Sequence, residues 1–291
     1  MKKSLLPLLG LILLAGCKSA TEPEWITIFD GTSLEGWRAS ENKGSFYIEN
    51  DILVSEGERS HLFYEGDVNN ATFRNFEFKA DVKTSPNGNS GIYFHTEYQE
   101  EGWPSKGYEV QISNTHEGNP DGYIERKKTG SLYGIRNLYM QFVPDNEWFN
   151  IHIQVKGKRI KVFVNEIQVV DYIEPTDPVR NEGFSGRLLD EGTMAIQAHD
   201  PDIPVYFKNI MIKPLPDDAE FDDVRDPVDP TYNAMITRLH LDGFPLIDAH
   251  VHLKDGMTME QALTKSMIDG INYGIAVNCG LDFEINTDEK L

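Results

Sequence analysis

The sequence predicts an all-β fold, a two-sheet sandwich of the jelly-roll type, followed by a partial α/β unit. Apolar and polar residues alternate with a period of two over several stretches between residues 25 and 213. Turn-forming Gly, Pro, Asn and Asp residues separate these stretches, and no ten-residue segment among them has the apolar spacing of a helix. About ten to twelve short strands with regular turns are typical of such a sandwich.

Two stretches show the alternation most clearly, residues 73–83 and residues 149–156. In the first, Phe76, Phe78 and Val82 alternate with charged residues, which is the pattern of a half-buried strand. The other predicted strands are 25–29, 46–54, 91–96, 108–113, 159–165, 167–172, 193–198 and 205–213.

Two further segments follow the predicted sandwich. Residues 214–230 are rich in proline and acidic residues, which predicts an extended linker. In residues 231–291, the stretch 244–253 reads as a strand, Thr258 with Gln261 resembles a helix-capping box, and 271–277 reads as a second strand. This order predicts one β-α-β unit.

Composition limits the classes of partner. Of the 291 residues, 40% are hydrophobic, which is enough to build a core and excludes wholesale disorder. The 47 acidic residues outnumber 27 basic ones and give a formal net charge of −20. An acidic surface repels phosphate backbones, so we expect no nucleic-acid partner. A neutral sugar is not repelled by this negative charge. The two cysteines, Cys17 and Cys279, cannot build a disulfide scaffold.

The first residues predict an export signal. Residues 1–17 contain two lysines, a short apolar run and the sequence Leu14-Ala15-Gly16-Cys17. The apolar run is shorter than the roughly 20 residues that span a bilayer. The last four residues resemble a bacterial lipobox, in which Cys17 receives a lipid. Because Lys18 follows rather than an aspartate, we expect a lipid anchor on the outer membrane of the cell envelope.

Three predicted strands place polar groups on one sheet face. Period-two alternation puts the following pairs on common faces: Tyr93 with His95, Glu109 with Gln111, and Gln197 with His199. Planar hydrogen-bonding groups beside aromatic rings suit a sugar, so we predict a carbohydrate-binding cleft here. We expect its aromatic rings to include Trp103, Tyr93 and Tyr133.

A series of motifs resembles a known family. The motifs are Phe29-Asp30-Gly31, Gly36-Trp37, Asn89-Ser90-Gly91-Ile92-Tyr93-Phe94, Gly107-Tyr108-Glu109-Val110-Gln111-Ile112, Thr129-Gly130-Ser131-Leu132-Tyr133-Gly134, Glu147-Trp148-Phe149-Asn150, Val164-Asn165, Ile196-Gln197-Ala198-His199 and Phe207-Lys208-Asn209-Ile210. Together they resemble the 3-keto-disaccharide hydrolase family over residues 25–213. The resemblance implies a concanavalin-like sandwich that cleaves glycosides already oxidised at C3.

The residues restrict the chemistry. A retaining glycosidase needs two carboxylates about 5–5.5 Å apart. The strand offers one acid, Glu109, and one amide, Gln111, and the sequence does not fix the position of Glu97. A 3-keto sugar needs instead a base for the C2 proton, a donor for the enolate oxygen and an acid for the leaving oxygen.

We therefore predict roles as follows. Glu109 or His95 is the base. Gln111 or Arg136 stabilises the oxyanion, and His199 is the acid for the leaving oxygen. The substrate-binding residues are expected to be Gln111, Tyr93, Trp103, Tyr133, Arg136 and Gln197. No cofactor is required, although the cleft could accommodate a divalent metal.

The C-terminal segment resembles a second family. Ile247-Asp248-Ala249-His250-Val251-His252 is similar to the first strand of the amidohydrolase metal barrel. Alternation places His250 and His252 on one face, where both could reach one metal ion. That barrel needs about 250 residues. We therefore expect residues 231–291 to be an incomplete amidohydrolase-like fragment whose metal would bind only in a longer parent protein.

Two alternatives to the 3-keto-glycoside enzyme remain open at this point. One is a non-catalytic carbohydrate-binding sandwich fused to a metal-dependent hydrolase. The other is an ordinary endo-glucanase acting on unoxidised glucan.

Overall fold

The computed structural model describes residues 23–118, 122–223, 239, 246–251, 257–269 and 271–275. The strands up to the predicted linker are β1 (Ile26–Thr27), β2 (Trp37–Ala39), β3 (Phe46–Glu49), β4 (Ile52–Ser55), β5 (Ser60–Tyr64), β6 (Phe76–Thr84), β7 (Ser90–Thr96), β8 (Tyr108–Ile112), β9 (Phe149–Lys156), β10 (Arg159–Val164), β11 (Ile167–Ile173), β12 (Thr193–Ala198) and β13 (Val205–Pro214). Short 3₁₀ turns lie at Lys43–Ser45, Val68–Ala71 and Glu182–Phe184.

These strands form two antiparallel sheets. The larger has the order β11-β10-β9-β6-β13-β4-β3, with β1 also paired to β13. The smaller has five strands in the order β2-β5-β12-β7-β8. The fold is a jelly-roll sandwich, as predicted.

One core lies between the sheets. Alternate residues of β6 and β9 are buried, among them Phe78, Val82, Ile151 and Ile153, and they pack with side chains of the smaller sheet such as Ile92. The period-two pattern therefore identified the inward faces of these strands. Burial of this apolar surface is the main force holding the sheets together.

The predicted strand over 46–54 is instead a hairpin. β3 and β4 pair through a two-residue turn at Asn50 and Asp51, both with positive φ. Asparagine and aspartate tolerate that conformation better than most residues, which allows the tight turn. β2 and β5 were not predicted, because their short runs show little alternation.

The described part of the predicted linker packs on the sandwich instead of extending away from it. Asp223 accepts hydrogen bonds from Arg159 and from Lys161 of β10, at 2.8 and 2.7 Å. The Phe221 ring lies under Lys161, whose Nζ is 4.4 Å from the ring centroid. Asn75 Nδ2 donates to the carbonyl of Pro216 at 2.8 Å.

The C-terminal segment contains the predicted β-α-β order. β14 (Leu246–Val251) pairs in parallel with β15 (Ile271–Ile275), and α1 (Met259–Asp269) lies between them in the chain. The predicted capping box is present: Thr258 N donates to Gln261 Oε1 at 2.8 Å, and Gln261 N donates to Thr258 Oγ1 at 3.2 Å.

Several sequence predictions fall on residues that the structure does not describe. Residues 1–22, with Cys17, lie outside the described ranges, as do His252, Cys279 and the side chain of His250. Among the described residues, no helix is both long and apolar enough to cross a bilayer. The lipid anchor and the metal pair remain predictions.

Candidate active site

A cavity of about 530 Å³ opens on the outer face of the smaller sheet. The residues that line it are Asn89, Tyr93, Trp103, Pro104, Ser105, Glu109, Gln111, Tyr123, Glu125, Tyr133, Gly183, Phe184, Arg187, Gln197 and His199. The sheet supplies its polar floor, and the segments that follow β7, β8, β11 and β12 supply its walls.

Strand register brings the floor residues together. Tyr93 of β7 lies opposite Glu109 of β8, and Gly91 lies opposite Gln111. On the other side, Gln197 of β12 lies opposite His61 of β5. Because these residues point away from the core, the predicted grouping of an acid with two amides and a tyrosine on one face is present.

Gly91 makes room for the Glu109 carboxylate. A Cβ atom at Gly91 would lie 2.7 Å from Glu109 Oε1 and 3.0 Å from its Cγ. Any larger residue at this position would therefore displace the acid. A glycine in the interior of a strand often marks such a close approach.

The Glu109 side chain is buried and held at both oxygens. Oε2 accepts a hydrogen bond from Arg187 Nη2 at 2.9 Å, and Oε1 accepts a longer one from Gln197 Nε2 at 3.4 Å. Gln197 Nε2 also donates to the Tyr93 hydroxyl at 3.2 Å. Burial, followed by the nearby Glu109 charge, raises the pKa of Tyr93 well above its usual value, so its phenol keeps its proton.

A second carboxylate, Glu125, also lines the cavity and was not predicted. Its Oε2 accepts hydrogen bonds from the hydroxyls of Tyr123 and Tyr133, the latter at 3.1 Å. Its Oε1 accepts from the backbone N of Lys127 at 2.7 Å. Burial is the first cause that raises the pKa of both tyrosines, followed by the hydrogen bond to Glu125 for Tyr123 and by the Glu125 charge for Tyr133. The cavity therefore holds a second acid besides Glu109, the acid that the strand pattern predicted.

His199 lies at the wall of the cavity, partly exposed. Its ring centroid is 5.4 Å from that of Trp103 and 6.3 Å from that of Tyr123. Its Nδ1 atom lies 3.0 Å from Asp200 Oδ1. The two groups are close, but the contact lacks hydrogen-bond geometry.

The prediction that His95 shares the face of Tyr93 is wrong. Met194 pairs with Phe94 but Thr193 pairs with Thr96, so His95 is an extra residue in β7, and its φ is +53°. This bulge breaks the alternation of side chains.

The bulge turns the His95 ring away from the cavity. The ring lies 5.7 Å from the ring of Phe76, its Nε2 is 2.9 Å from the carbonyl oxygen of Arg74, and its Nδ1 accepts from Asp190 N. Burial lowers the pKa of His95 to about 4. His95 is therefore a structural residue rather than a candidate base.

Arg136 also lies outside the cavity, contrary to expectation. Its Nη1 donates to the carbonyl of Ile135 at 2.6 Å, and its guanidinium lies 4.9 Å from the centroid of the Tyr172 ring. The cation in the cavity is instead Arg187, on the loop after the turn at Glu182–Phe184. Neither Arg187 nor Glu125 belongs to a periodic strand, so spacing alone could not have identified them.

The remaining predicted residues do line the cavity. Trp103, Tyr133, Gln111 and Gln197 are all in contact with it. Gln111 Nε2 donates to Asn89 Oδ1 at 2.8 Å, which fixes the orientation of this amide. Within the described ranges, no three His, Cys, Asp or Glu residues are arranged to hold a metal ion.

Comparison with known proteins identifies the family. The model of the 3-keto-alpha-glucoside-1,2-lyase-like domain matches residues 24–213, about two thirds of the chain. The chain belongs to this family. The match covers the sandwich up to residue 213 and includes every cavity-lining residue.

A curated relative of this family member is the 3-keto-disaccharide hydrolase of Bacteroides thetaiotaomicron. The two are 26% identical over 229 residues, which cover 66% of this chain and 78% of the relative.

Two solved structures share the fold. Both are proteins from Parabacteroides distasonis assigned as glycosyl hydrolases. The first has a TM-score of 0.56 and 22% identity and covers 66% of this chain and 94% of its own. The second has a TM-score of 0.50 and 21% identity and covers 66% of this chain and 100% of its own.

Proposed function

We propose that this family member is an enzyme that cleaves 3-keto-glycosides by elimination followed by hydration. The observation that carries the proposal is the buried Glu109 carboxylate on the floor of a polar cavity, with Arg187 bound to it and His199 on the wall. The relative named as a 3-keto-disaccharide hydrolase supports this substrate class.

The reaction follows from the chemistry of the oxidised sugar. The C3 carbonyl acidifies the hydrogen on C2, so one base can remove that proton and leave an enolate. The enolate then expels the group at C1: the C1–O1 bond breaks, a C1–C2 double bond forms, and the leaving oxygen takes a proton. Addition of water at C1, with the proton returned to C2, gives the free 3-keto sugar.

Glu109 is the proposed base. Its carboxylate lies on the cavity floor, and the absence of a side chain at Gly91 leaves room for it there. Arg187 orients it and places a positive charge beside the region where the enolate develops, which favours a negatively charged transition state.

His199 is the proposed group for the leaving oxygen. Its imidazole lies on the cavity wall, where the rings of Trp103 and Tyr123 pack against it. An imidazole can give and take a proton near neutral pH, which both leaving-group departure and hydration require.

Ordinary glycoside hydrolysis is the second candidate, and Glu125 is the observation that favours it. Two carboxylates, Glu109 and Glu125, line one cavity. However, both oxygens of Glu125 already accept hydrogen bonds from Tyr123, Tyr133 and Lys127. Glu109 is hydrogen-bonded at both oxygens too, but its Oε1 accepts only a long bond of 3.4 Å from Gln197, so it is the freer of the two carboxylates. Ordinary hydrolysis needs both carboxylates free to react, so we favour elimination.

The experiment is a comparison of products. The full chain is incubated with a 3-keto-glucoside and with its unoxidised parent, and released alcohol and sugar are followed by chromatography. Release from the 3-keto-glucoside alone supports the proposal. Release from the parent indicates ordinary hydrolysis, and binding without release from either indicates a carbohydrate-binding module.

We also propose that Cys17 carries a lipid that holds the protein on the cell envelope. The supporting observation is the lipobox-like sequence that ends at Cys17. In bacterial cells, the Cys17→Ala variant should leave the membrane fraction. Retention of that variant in the fraction would contradict the anchor.

A further inference from the structure

The mouth of the cavity carries an unusual group of exposed aromatic side chains. Trp103 is 46% exposed and Tyr123 is 40% exposed, and both line the cavity that holds Glu109. Exposed large aromatic rings in a cavity are costly to hydrate unless a ligand covers them. They therefore point to a bound group with an apolar face.

The two rings form one wall together with His199. The planes of Trp103 and His199 are inclined by 33°, and those of Tyr123 and His199 by 26°. The three rings thus form an offset row with His199 between the other two, which we call the aromatic wall. His199, the proposed partner of the leaving oxygen, stands at its centre.

Trp103 is fixed in place before any ligand arrives. The Arg59 guanidinium lies 5.3 Å from its ring centroid, and the His61 ring packs edge-on at 5.6 Å. Its carbonyl accepts a hydrogen bond from Gln99 Nε2 at 2.9 Å. A ring that is already ordered loses little conformational entropy when it binds a ligand.

The cavity is therefore divided by polarity. Its floor presents the polar side chains of Glu109, Gln111 and Gln197, with Asn89 and Arg187 beside them, and its mouth presents the aromatic wall. A 3-keto ring, with its carbonyl and hydroxyls, matches the floor. The ring on the other side of the scissile bond would then lie against the wall, because His199 must stand beside the oxygen that joins the two.

We propose that the aromatic wall is the binding site for the leaving group, and that it selects a leaving group with a flat, apolar ring face, such as the second pyranose of a 3-keto-disaccharide. This inference rests on the proposed function, since it places the oxidised ring on the floor. The carbon-bound hydrogens of a pyranose face would pack on the exposed parts of the Trp103 and Tyr123 rings.

The test compares a 3-keto-disaccharide with a methyl 3-ketoglucoside, whose leaving group has no ring. The wild type should prefer the disaccharide in kcat/KM, and Trp103→Ala should reduce that preference about tenfold, mainly through KM. Trp103→Phe, which keeps a ring, should restore much of it. Trp148→Ala is the matched control, because Trp148 contacts Lys83 and Lys208 away from the cavity.

Two results would overturn the inference. One is a disaccharide preference that persists in Trp103→Ala. The other is an equal loss of kcat/KM for both substrates, which would place the oxidised ring against Trp103.

Failure of the proposed function is distinguishable from failure of this inference. If the wild type cleaves neither substrate, the proposed function fails, but calorimetric titration with the same two compounds still measures the preference in binding. Tighter binding of the disaccharide that is lost in Trp103→Ala supports the aromatic wall. Equal affinity of the wild type for both compounds contradicts it.

Discussion

Arg187 Nη2 donates a hydrogen bond of 2.9 Å to Glu109 Oε2, and both side chains are more than nine-tenths buried. The pair joins a strand of the smaller sheet to the loop after the turn at Glu182–Phe184. It therefore couples the position of the proposed base to the wall of the cavity. Because both charges are out of water, each depends on the other for compensation.

A double-mutant cycle tests this coupling. Arg187→Met should lower the free energy of unfolding by about 3 kcal/mol, because it leaves a buried carboxylate without its cation. Adding Glu109→Gln should recover part of that loss. Chemical denaturation of the four proteins measures it, and strictly additive effects would show that the two side chains do not interact.

Gly91 offers a test of how accurately Glu109 must be placed. Gly91→Ala introduces a Cβ atom 2.7 Å from Glu109 Oε1, which the carboxylate can avoid only by moving. Displacement of a catalytic group by about 1 Å can cost about a hundredfold in rate, so kcat for a 3-keto-glycoside should fall by about 10- to 100-fold.

The control for Gly91→Ala is Gly44→Ala, because a Cβ atom at Gly44 meets nothing within 4 Å. Circular dichroism should show the native fold for both variants. Unchanged kcat in folded Gly91→Ala would show that the position of Glu109 does not limit the reaction.

Glu125 should be less important to catalysis than Glu109. Its oxygens hold the hydroxyls of Tyr123 and Tyr133, so Glu125→Gln should loosen this wall and reduce kcat by about tenfold, far less than loss of the base. Steady-state kinetics on a 3-keto-glycoside measure it. Complete loss of turnover in a stable Glu125→Gln protein would favour the two-carboxylate mechanism instead.

Two buried histidines should make the fold sensitive to acid. Burial lowers the pKa of His61 to about 3 and that of His95 to about 4. Since the unfolded chain binds these protons at its ordinary pKa near 6.5, stability is complete above that pH and is lost as the pH falls below it.

The expected loss is about 2 kcal/mol per histidine between pH 7 and pH 5. Urea unfolding at several pH values measures it. His61→Phe should have a shallower pH dependence than the wild type, since it removes one of the two titrating groups. An identical slope in the variant would show that His61 does not contribute.

The sequence predicted most of the fold because most strands have one face in the core. Phe78 and Val82 alternate with charged residues, so hydrophobic burial alone sets which way each side chain points. The two-residue turn at Asn50 and Asp51 was not predicted, because apolar residues continue on both sides of it. The turn depends on the positive φ angles of these two residues, which the apolar pattern does not reveal.

The candidate site was predicted where it lies on regular strands and missed where it lies on loops. Glu109, Gln111 and Gln197 follow from alternation, whereas one inserted residue at His95 reverses the face of that side chain. Arg187 and Glu125 reach the cavity from segments without periodicity. Their positions depend on tertiary contacts that one sequence does not display.

The most direct test of the account is the turnover of a 3-keto-glycoside by Glu109→Gln. The substitution preserves size and removes the base, so kcat should fall by at least about a thousandfold, while the substrate still binds in calorimetric titration. Glu191→Gln, at an exposed ion pair with Arg74, is the matched control and should behave as the wild type. Turnover by Glu109→Gln at a rate within tenfold of the wild type would contradict the role of Glu109 and the mechanism built on it.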